Sequence, residues 1–419
     1  MGAETRRSLA DWLGYIERQH PQPIALGLDR VREVFASLNA GISCPVITVG
    51  GTNGKGSTCA LLEAVLTSAG YRTGLYTSPH LLRYNERVRI AGREADDDAL
   101  CEAFAAVERA RGTVPLTYFE FGTLAALVLF AREKPEALIL EVGLGGRLDA
   151  VNLVDADCAV LTSVGIDHVE YLGGTREAIG REKAGIFRPA MPAVVADPLP
   201  PASVLEAAQG KGARLLLIGK DFGYQTQGTQ WSYWGPGGKR AGLAHPALRG
   251  AIQLRNASAA FTALDALGGR LPVAAQDLRR GIAKAVLPGR FQVLPGRPQV
   301  VLDVAHNPDA AAVLAANLGA SGFSPETIAV FGMLKDKDIA GVVREVAPRI
   351  SRWHLATLPG DRGADASQLA DALTLEKIQA PVSKHASPAQ ALAAARSEAG
   401  ENDKIVVFGS FLTVAGAYG

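Results

Sequence analysis

Short apolar runs rich in β-branched residues alternate along the chain with longer, alanine-rich stretches. The clearest runs in its first half are CPVITVGG (44–51), ALILEVG (137–143), DCAVLTSVG (157–165) and PAVVAD (192–197). Their apolar residues are continuous rather than interleaved with polar ones, which is typical of strands buried on both faces of a sheet. The stretches between them, such as 59–70 and 123–134, predict helices. This alternation predicts an α/β fold with a mostly parallel sheet.

The same pattern indicates two domains. Two Leu-Pro-Gly-Arg turns occur close together within 286–299, and strand-like runs resume after them. We therefore predict a larger N-terminal domain over 1–287, a linker at 288–297 and a smaller C-terminal α/β domain over 298–419. A tract rich in Gly, Gln, Trp and Tyr at 219–242 interrupts the first domain and predicts a small antiparallel sheet.

The composition argues against nucleic acid and membranes as binding partners. The 43 Lys and Arg residues nearly balance the 42 Asp and Glu residues, so the chain lacks the basic excess of proteins that hold nucleic acid by its backbone. Its 4 cysteines form no CxxC pair, which favours reduced structural thiols. No apolar run reaches the roughly 20 residues of a membrane span, and the N-terminus does not resemble a signal peptide. We expect a cytoplasmic protein that binds neither nucleic acid nor membrane.

The stretch VGGTNGKGST (49–58) follows an apolar run and precedes a predicted helix. Glycines let backbone N–H groups face a phosphate, the helix N-terminus adds a favourable dipole, and a lysine and a hydroxyl serve the phosphates and Mg²⁺. The strict GxxxxGK[ST] pattern is not met, because Val49 occupies the first glycine position and Gly56 separates Lys55 from Ser57. From the loop alone, phosphate binding is favoured over a generic glycine turn.

Two acidic residues stand at the ends of apolar runs. Glu141 ends ALILE and Asp303 ends QVVLD. Ligands collect at the carboxyl ends of parallel strands, so Glu141 could reach a nucleotide-bound Mg²⁺ and Asp303 could bind ribose hydroxyls. The alternatives are a solvated acid at 141 and a helix-capping acid at 303.

The loop GTNGKGS resembles that of the folylpolyglutamate and dihydrofolate synthases, relatives of the Mur peptidoglycan ligases, which usually read GTNGKT or GTNGKS. The likeness continues in family order over nearly the whole chain. It includes LGLDRV (26–31), TSPHL (77–81), NERV (85–88), TYFEFGT (117–123), EVGLGGRLDAVN (141–152), IDHVEYLG (166–173), REKAGIF (181–187), RNASAA (255–260), PGRFQ (288–292), DVAHNPDA (303–310) and GMLKDKD (332–338). The resemblance implies a P-loop, Mur-ligase-like ATPase domain and a smaller Rossmann-like domain.

The resemblance also implies roles for individual residues, with ATP placed between the domains. The implied nucleotide contacts are Gly51, Thr52, Asn53, Gly54, Lys55, Gly56, Ser57, Thr58, Asn256, Arg290, Asp303 and His306. The implied metal ligands are Ser57, Ser78, Glu141, His168 and a carbamylated Lys183. The implied catalytic residues are Lys55, His168, Lys183 and Arg290. The implied contacts to the pterin-bearing substrate are Leu28, Asp29, Arg30, Pro79, His80, Arg87 and Phe119.

Structural alternatives stay open for several of these residues. A lysine on a charged helix, as at 183, is by default solvated, and a lone histidine in a loop, as at 168, is usually structural. Asn256 could be a helix N-cap. The aromatic side chains of TYFEF (117–121) could belong to the core rather than stack on a ligand.

The activity implied by the resemblance is ATP-dependent addition of L-glutamate to dihydropteroate, giving dihydrofolate, and to tetrahydrofolate and other reduced folates, giving polyglutamates. The substrate carboxylate would attack the γ-phosphorus to give an acyl phosphate, while Lys55, Arg290 and Mg²⁺ neutralise charge on the phosphoryl oxygens. The resemblance implies ATP and two Mg²⁺ ions as cofactors and leaves a monovalent cation open. We expect the protein to be a monomer.

Three other functions are alternatives to this one. A monofunctional folylpolyglutamate synthase stays open, because one sequence does not establish both activities. A Mur-type ligase acting on a UDP-sugar peptide would need an N-terminal uridine-nucleotide domain, for which a phosphate loop beginning at Val49 leaves no room. A non-catalytic nucleotide switch would have no use for Arg290, Asp303 and His306.

Overall fold

The computed structural model describes residues 7–418 of the 419-residue chain. Within this range the chain forms two compact units. The first comprises residues of Met1–Ala247 and Leu254–Ala285, and the second comprises residues of Leu248–Gln253 and Val286–Gly419. No helix in the described range is long and apolar enough to cross a membrane.

The main sheet of the first unit has eight strands within the described residues. They are β1 (Val46–Gly50), β2 (Thr73–Tyr76), β3 (Val88–Ile90), β4 (Arg93–Glu94), β5 (Ala137–Glu141), β6 (Cys158–Leu161), β7 (Pro192–Val195) and β8 (Arg214–Leu217). They lie in the order β4-β3-β2-β5-β1-β6-β7-β8. All pairs from β2 to β8 are parallel, and β3 and β4 add an antiparallel edge. The four predicted strands are confirmed, each with shorter bounds.

The helices of this unit connect and cover the strands. They are α1 (Leu9–Ile16), α2 (Asp29–Leu38), α3 (Lys55–Ser68), α4 (Asp97–Arg111), α5 (Tyr118–Glu133), α6 (Val169–Leu172), α7 (Arg176–Lys183), α8 (Ala202–Lys211), α9 (Ile252–Ala266) and α10 (Ala275–Lys284), with 3₁₀ turns at Tyr84–Arg87, Ala150–Leu153 and Ala184–Ile186. Helices α3 and α5 begin earlier than the predicted stretches 59–70 and 123–134. For α5 the reason is a capping box, in which Thr117 and Glu120 each bond the other's backbone N–H.

A separate antiparallel sheet packs on α9. It consists of β9 (Gly223–Gln227), β10 (Gln230–Gly235) and β11 (Gly238–Ala244), which confirms the small sheet predicted at 219–242. The rings of Trp231 and Phe261 stack with centroids 5.7 Å apart. Asp265 of α9 accepts a hydrogen bond from the Tyr233 hydroxyl at 2.8 Å.

The second unit is another α/β layer structure. Its described strands are β12 (Gln292–Leu294), β13 (Gln299–Leu302), β14 (Thr327–Phe331), β15 (Arg352–Ala356), β16 (Val382–His385) and β17 (Lys404–Phe408), in the order β12-β13-β17-β14-β15-β16. Its helices are α11 (Pro308–Ala320), α12 (Ile339–Val346), α13 (Ala366–Leu375), α14 (Pro388–Glu398) and α15 (Phe411–Tyr418), with a 3₁₀ turn at Ala347–Arg349. Part of the predicted linker, 288–297, is therefore strand β12, which pairs antiparallel with β13. The predicted domain limits 1–287 and 298–419 stay predictions.

Candidate active site

The loop between β1 and α3 is fixed by the segment that follows β6. The backbone N–H of Thr52 donates to the Ser163 carbonyl at 2.8 Å, and that of Asn53 donates to Ser163 Oγ at 3.0 Å. In return, Thr162 Oγ1 and Ser163 Oγ donate to the Asn53 carbonyl at 2.7 and 3.0 Å. The Thr52 hydroxyl bonds both backbone groups of Gly165. The loop is thus a braced turn rather than a flexible one.

Two glycines of this loop have no room for a side chain. Gly51 has φ 148°, and a Cβ there would overlap Thr162 Oγ1. Gly54 has φ 90°, and its Cβ would lie 2.7 Å from Asn256 Oδ1. Gly54 is also the N-cap of α3 and has no side chain to cap the helix. The N-terminus of a helix is a favourable place for an anion. The geometry favours phosphate binding over a generic turn.

Lys55 opens α3 and folds back over the loop. Its Nζ donates to the carbonyls of Gly51 at 3.1 Å and Thr52 at 3.2 Å. Ser57, one turn into the helix, is buried. The hydroxyl of Thr58 donates to the Gly54 carbonyl at 3.0 Å, so it serves the helix itself. Of the three polar side chains predicted here, Lys55 therefore holds the position best suited to a phosphate.

Lys183 reaches the same loop from the end of α7. Its side chain is buried, and its Nζ donates to the Gly51 carbonyl at 3.0 Å, the same oxygen that Lys55 contacts. Burial and the charge of Lys55 lower the pKa of Lys183 to about 7, against the opposing influence of Asp167 and Asp149. The default interpretation of a solvated lysine is wrong, and a neutral amine is available near neutral pH.

Glu141 lies beside the loop at the end of β5. It pairs in register with Val49 of β1 and is only 4% exposed. Its Oε2 accepts a hydrogen bond from the backbone N–H of Ser78 at 3.2 Å. The alternative of a solvated strand-end acid is therefore wrong, while the assignment of Glu141 and Ser78 to a metal stays a prediction.

His168 lies on the loop after β6, just past the Gly165 that bonds Thr52. It precedes α6, and its backbone N–H donates to Asp167 Oδ1 at 2.8 Å. Its Nε2 lies 3.8 Å from Asp167 Oδ2. Sequence reasoning did not single out Asp167, although it stands within the motif IDHVEYLG.

The predicted metal ligands do not form a cluster of acidic and histidine side chains. Among residues 7–418, no three or more His, Cys, Asp or Glu side chains are arranged to hold a metal ion. A Mg²⁺ ion that keeps water and phosphate oxygens needs few protein ligands. The buried carboxylate of Glu141, opposite Val49 at the start of the loop, fits an ion that arrives with a nucleotide.

The predicted substrate residues gather around the first turn of α5. The ring of Phe119 lies against Gly143, where a Cβ would be 2.6 Å from Phe119 Cζ. Arg87 is nearly buried, donates from Nε to His80 Nδ1 at 2.8 Å and has its guanidinium carbon 5.5 Å from the centroid of the Tyr118 ring. Burial and Arg87 lower the pKa of His80 to about 4, so this imidazole is neutral. Within residues 7–418 no carboxylate pairs with Arg87, which leaves a buried cation suited to an anionic ligand.

Three other residues predicted at this end are placed differently. Leu28 belongs to the hydrophobic core. The side chain of Asp29 is fully exposed, 3.7 Å from Arg32. Pro79 is also exposed, next to Ser78. Their assignment to the substrate stays a prediction.

In the second unit, Arg290 and His306 lie around Phe411, which sequence reasoning missed. The guanidinium carbon of Arg290 is 5.1 Å from the ring centroid of Phe411, and the His306 ring is 6.5 Å from it. Asp303 accepts hydrogen bonds from the backbone N–H groups of Phe291 and Ala305, both at 2.8 Å. Burial raises its pKa, while Arg290 and His306 act to lower it.

Two capping alternatives are wrong. Asn307, not Asp303, caps α11, since its Oδ1 accepts from the Ala310 N–H at 2.9 Å. Asn256 lies within α9 rather than at its start, and its amide faces Gly54.

Two family models match this chain: "Mur ligase middle domain" over 49–264 and "Mur ligase, glutamate ligase domain" over 289–411. The dihydrofolate synthase/folylpolyglutamate synthase of Escherichia coli is 47% identical over 97% of this chain and 94% of the relative. That of Haemophilus influenzae is 42% identical over 97% and 96%. The chain belongs to the dihydrofolate synthase/folylpolyglutamate synthase family.

Solved structures of family members agree with the fold described above. The E. coli enzyme FolC in complex with DHPP and ADP has a TM-score of 0.93 at 46% identity, covering 98% of this chain and 96% of the other. A bifunctional folylpolyglutamate synthase/dihydrofolate synthase with Mn, AMPPNP and L-glutamate has a TM-score of 0.90 at 44% identity, covering 98% and 97%. The predictions of a Mur-ligase-like α/β fold and of an ATP-dependent ligase are confirmed.

Proposed function

We propose that this ligase adds L-glutamate to dihydropteroate, forming dihydrofolate, and to tetrahydrofolate, forming polyglutamates. The observation that carries the proposal is the convergence of Lys55 and the buried Lys183 on the Gly51 carbonyl, beside the buried Glu141. Support also comes from relatives that carry both activities in their names and from their complexes with ADP, DHPP, AMPPNP and L-glutamate.

The phosphates of ATP are held by the glycine loop and the N-terminus of α3. The Lys55 ammonium exchanges the carbonyls of Gly51 and Thr52 for oxygens of the β- and γ-phosphates. Asn256, whose amide faces Gly54, also serves the nucleotide. We assign the adenosine and phosphate contacts of the second unit to Arg290, Asp303 and His306.

A divalent metal that arrives with the nucleotide would be held by Glu141 and the Ser57 hydroxyl, with Ser78 and His168 as further contacts. Relatives with AMPPNP and Mn support this assignment. When bound, such a metal polarises the γ-phosphoryl group and neutralises charge on its oxygens. We propose two Mg²⁺ ions and test the need for a monovalent cation by omitting it from the assay.

Lys183 is proposed to carry a carbamate. Its pKa of about 7 leaves part of the amine neutral, and a neutral amine attacks CO₂ and releases one proton to solvent. The product is a carbamate, whose negative charge is attracted by the Lys55 ammonium, whereas a protonated Lys183 is repelled by it. The carbamate oxygens could also bind the second metal. Intact mass in bicarbonate should show one labile CO₂ adduct that is missing in Lys183→Ala. No adduct, together with full activity of Lys183→Ala, would refute the assignment.

The reaction needs no enzyme nucleophile. The substrate carboxylate attacks the γ-phosphorus, and an acyl phosphate and ADP result. We assign to Lys55 and to Arg290 the neutralisation of charge on the transferred group. The amine of glutamate attacks the acyl carbon, and phosphate leaves as the amide forms. His168, with Asp167 3.8 Å away, is assigned to metal contact rather than to proton abstraction.

The pterin-bearing substrate binds at the start of α5. Phe119 offers a ring face beside Gly143, and Arg87 offers a buried cation without a carboxylate partner among residues 7–418. Neutral His80 holds the Arg87 guanidinium in place by accepting its Nε–H. We therefore assign Arg87 to an anionic group of the substrate.

Glutamate-dependent ADP release tests the function, with dihydropteroate and tetrahydrofolate supplied separately and products identified by mass. Activity with both substrates supports the bifunctional assignment. Activity with tetrahydrofolate alone would leave a monofunctional folylpolyglutamate synthase, and dihydropteroate alone a dihydrofolate synthase. No release with either, from protein that still binds ATP, would refute the substrate assignment. Light scattering of the eluting protein checks the expected monomer.

A further inference from the structure

One ion pair joins the first turn of α2 to the first turn of α5. Arg30 donates from Nη2 to Glu120 Oε1 at 2.7 Å and from Nε to Glu120 Oε2 at 3.4 Å. The same Nη2 donates to the carbonyl of Ala25 at 2.8 Å. The Arg30 side chain is 28% exposed and that of Glu120 only 4%. A two-pronged guanidinium–carboxylate contact fixes direction as well as distance.

Glu120 has a second task in the same place. Its Oε2 accepts the backbone N–H of Thr117 at 2.8 Å and so completes the capping box of α5. One carboxylate therefore holds both the first turn of α5 and, through Arg30, the carbonyl of Ala25. Because the carboxylate is buried, loss of Arg30 would leave it without a countercharge.

Both ends of this contact border the region assigned to the pterin-bearing substrate. The first turn of α5 carries Tyr118, over which Arg87 lies, and Phe119, which packs on Gly143. At the other end, the backbone N–H of Gly27 donates to the Leu148 carbonyl at 3.3 Å. Residues 25–28 are thus held against the segment 143–148 on one side and α5 on the other.

We propose that Arg30 and Glu120 are positioning residues for the pterin-bearing substrate, acting by fixing residues 25–28 relative to Phe119. This inference rests on the proposed function. It replaces the expectation that Arg30 contacts the substrate directly, because the guanidinium already binds Glu120 and Ala25.

Substitutions on the two sides of the ion pair separate positioning from direct contact. If Arg30 bound the substrate itself, Glu120→Gln would free its guanidinium and leave substrate affinity unchanged or higher. If the pair positions residues 25–28, Glu120→Gln weakens substrate binding as Arg30→Met does. Gln also serves at this position of a capping box, so Glu120→Gln keeps the cap of α5. Arg30→Lys keeps a charge without the two-pronged contact and should restore part of the affinity.

The experiment measures KM for dihydropteroate, ATP and glutamate, kcat, and the Kd of dihydropteroate by pterin fluorescence. Arg30→Met and Glu120→Gln should each raise the KM and Kd for dihydropteroate about 10- to 100-fold, the scale expected of a displacement near 1 Å. The KM for ATP should change by less than about twofold, since the phosphate loop is untouched. The matched control is Arg32→Met on the exposed face of α2, which should alter none of these values.

Each outcome decides the inference. Unchanged dihydropteroate affinity in Glu120→Gln, or an equal rise in all three KM values, would overturn it. If Arg30→Met does not fold, Arg30→Lys and Glu120→Gln give the same decision. An unaltered chain that binds dihydropteroate without turnover would refute the proposed function, and the Kd values would still decide the positioning role. A chain that neither binds nor turns over either pterin would overturn both.

Discussion

Gly185→Ala tests whether Lys183 is positioned by close backbone packing. Gly185 lies in the 3₁₀ turn two residues after Lys183. A Cβ at this position would lie 2.7 Å from Arg147 N and closer still to Arg147 Cα and Cβ. Ordinary contact begins at 3.4 Å, so the two segments must separate by at least about 0.7 Å. The opposing atoms belong mainly to the backbone and cannot rotate away.

The same separation affects hydrogen bonds on both sides of Lys183. Arg147 N donates to the Glu182 carbonyl at 2.8 Å, and Lys211 Nζ donates to the Gly185 carbonyl at 2.8 Å. Overpacking costs about 1–3 kcal/mol, and one weakened hydrogen bond adds about 1 kcal/mol. We expect the free energy of unfolding to fall by about 2–4 kcal/mol. Because Lys183 moves relative to Gly51, kcat should fall by up to about 100-fold.

The assay combines urea unfolding with glutamate-dependent ADP release. Gly210→Ala is the matched control, because Gly210 lies in α8 with open space where its Cβ would be. That substitution should raise stability by about 0.5–1 kcal/mol and leave kcat unchanged. An unchanged urea midpoint and kcat in Gly185→Ala would refute the argument that this packing positions Lys183.

Three further predictions concern charge. Lys55→Met should lower kcat by about 100- to 1,000-fold, because the charge that stabilises the transferred phosphoryl group is lost. The urea midpoint should change little, because Lys55 bonds two carbonyls of its own loop. Glu141→Gln should raise the Mg²⁺ concentration for half-maximal activity by about tenfold or more, measured by Mg²⁺ titration. Burial raises the pKa of Asp149 from 3.8 to about 6, so the folded state binds this proton more tightly than the unfolded state does. The stability that the proton contributes is therefore lost as pH rises from about 4 to about 6. Relative to Asp149→Asn, the free energy of unfolding should fall by roughly 3 kcal/mol across that window at about 1.36 kcal/mol per pH unit, measured by urea titration at each pH.

The fold and the phosphate loop were accessible from sequence because their signals are local. A strand buried on both faces is a continuous apolar run wherever it pairs, and the glycines of the loop follow from its backbone angles. The apolar pattern alone predicts too late a start for α5. Its first turn is instead set by a local signal, the Thr-x-x-Glu spacing of the capping box formed by Thr117 and Glu120.

Long-range pairings were not accessible in the same way. Lys183 stands among charged residues, and only its contact with Gly51, 132 residues earlier in the chain, shows that it is buried at the loop. Nothing near Arg30 in the sequence indicates its partner Glu120, 90 residues later. Charged side chains are the hardest to place from sequence, because the partner that permits their burial lies on another element.

The charges around Gly51 imply an order for the events at the loop. Lys55 and Lys183 both donate to the Gly51 carbonyl, and the charge of Lys55 helps to lower the pKa of Lys183. Nucleotide phosphates would favour the protonated ammonium at both lysines and so remove the neutral amine that CO₂ requires. A carbamate on Lys183 would then form before the nucleotide binds. We therefore infer that the lowered pKa of Lys183 belongs to the loop before a nucleotide binds, and that the proposed carbamate would form in that state.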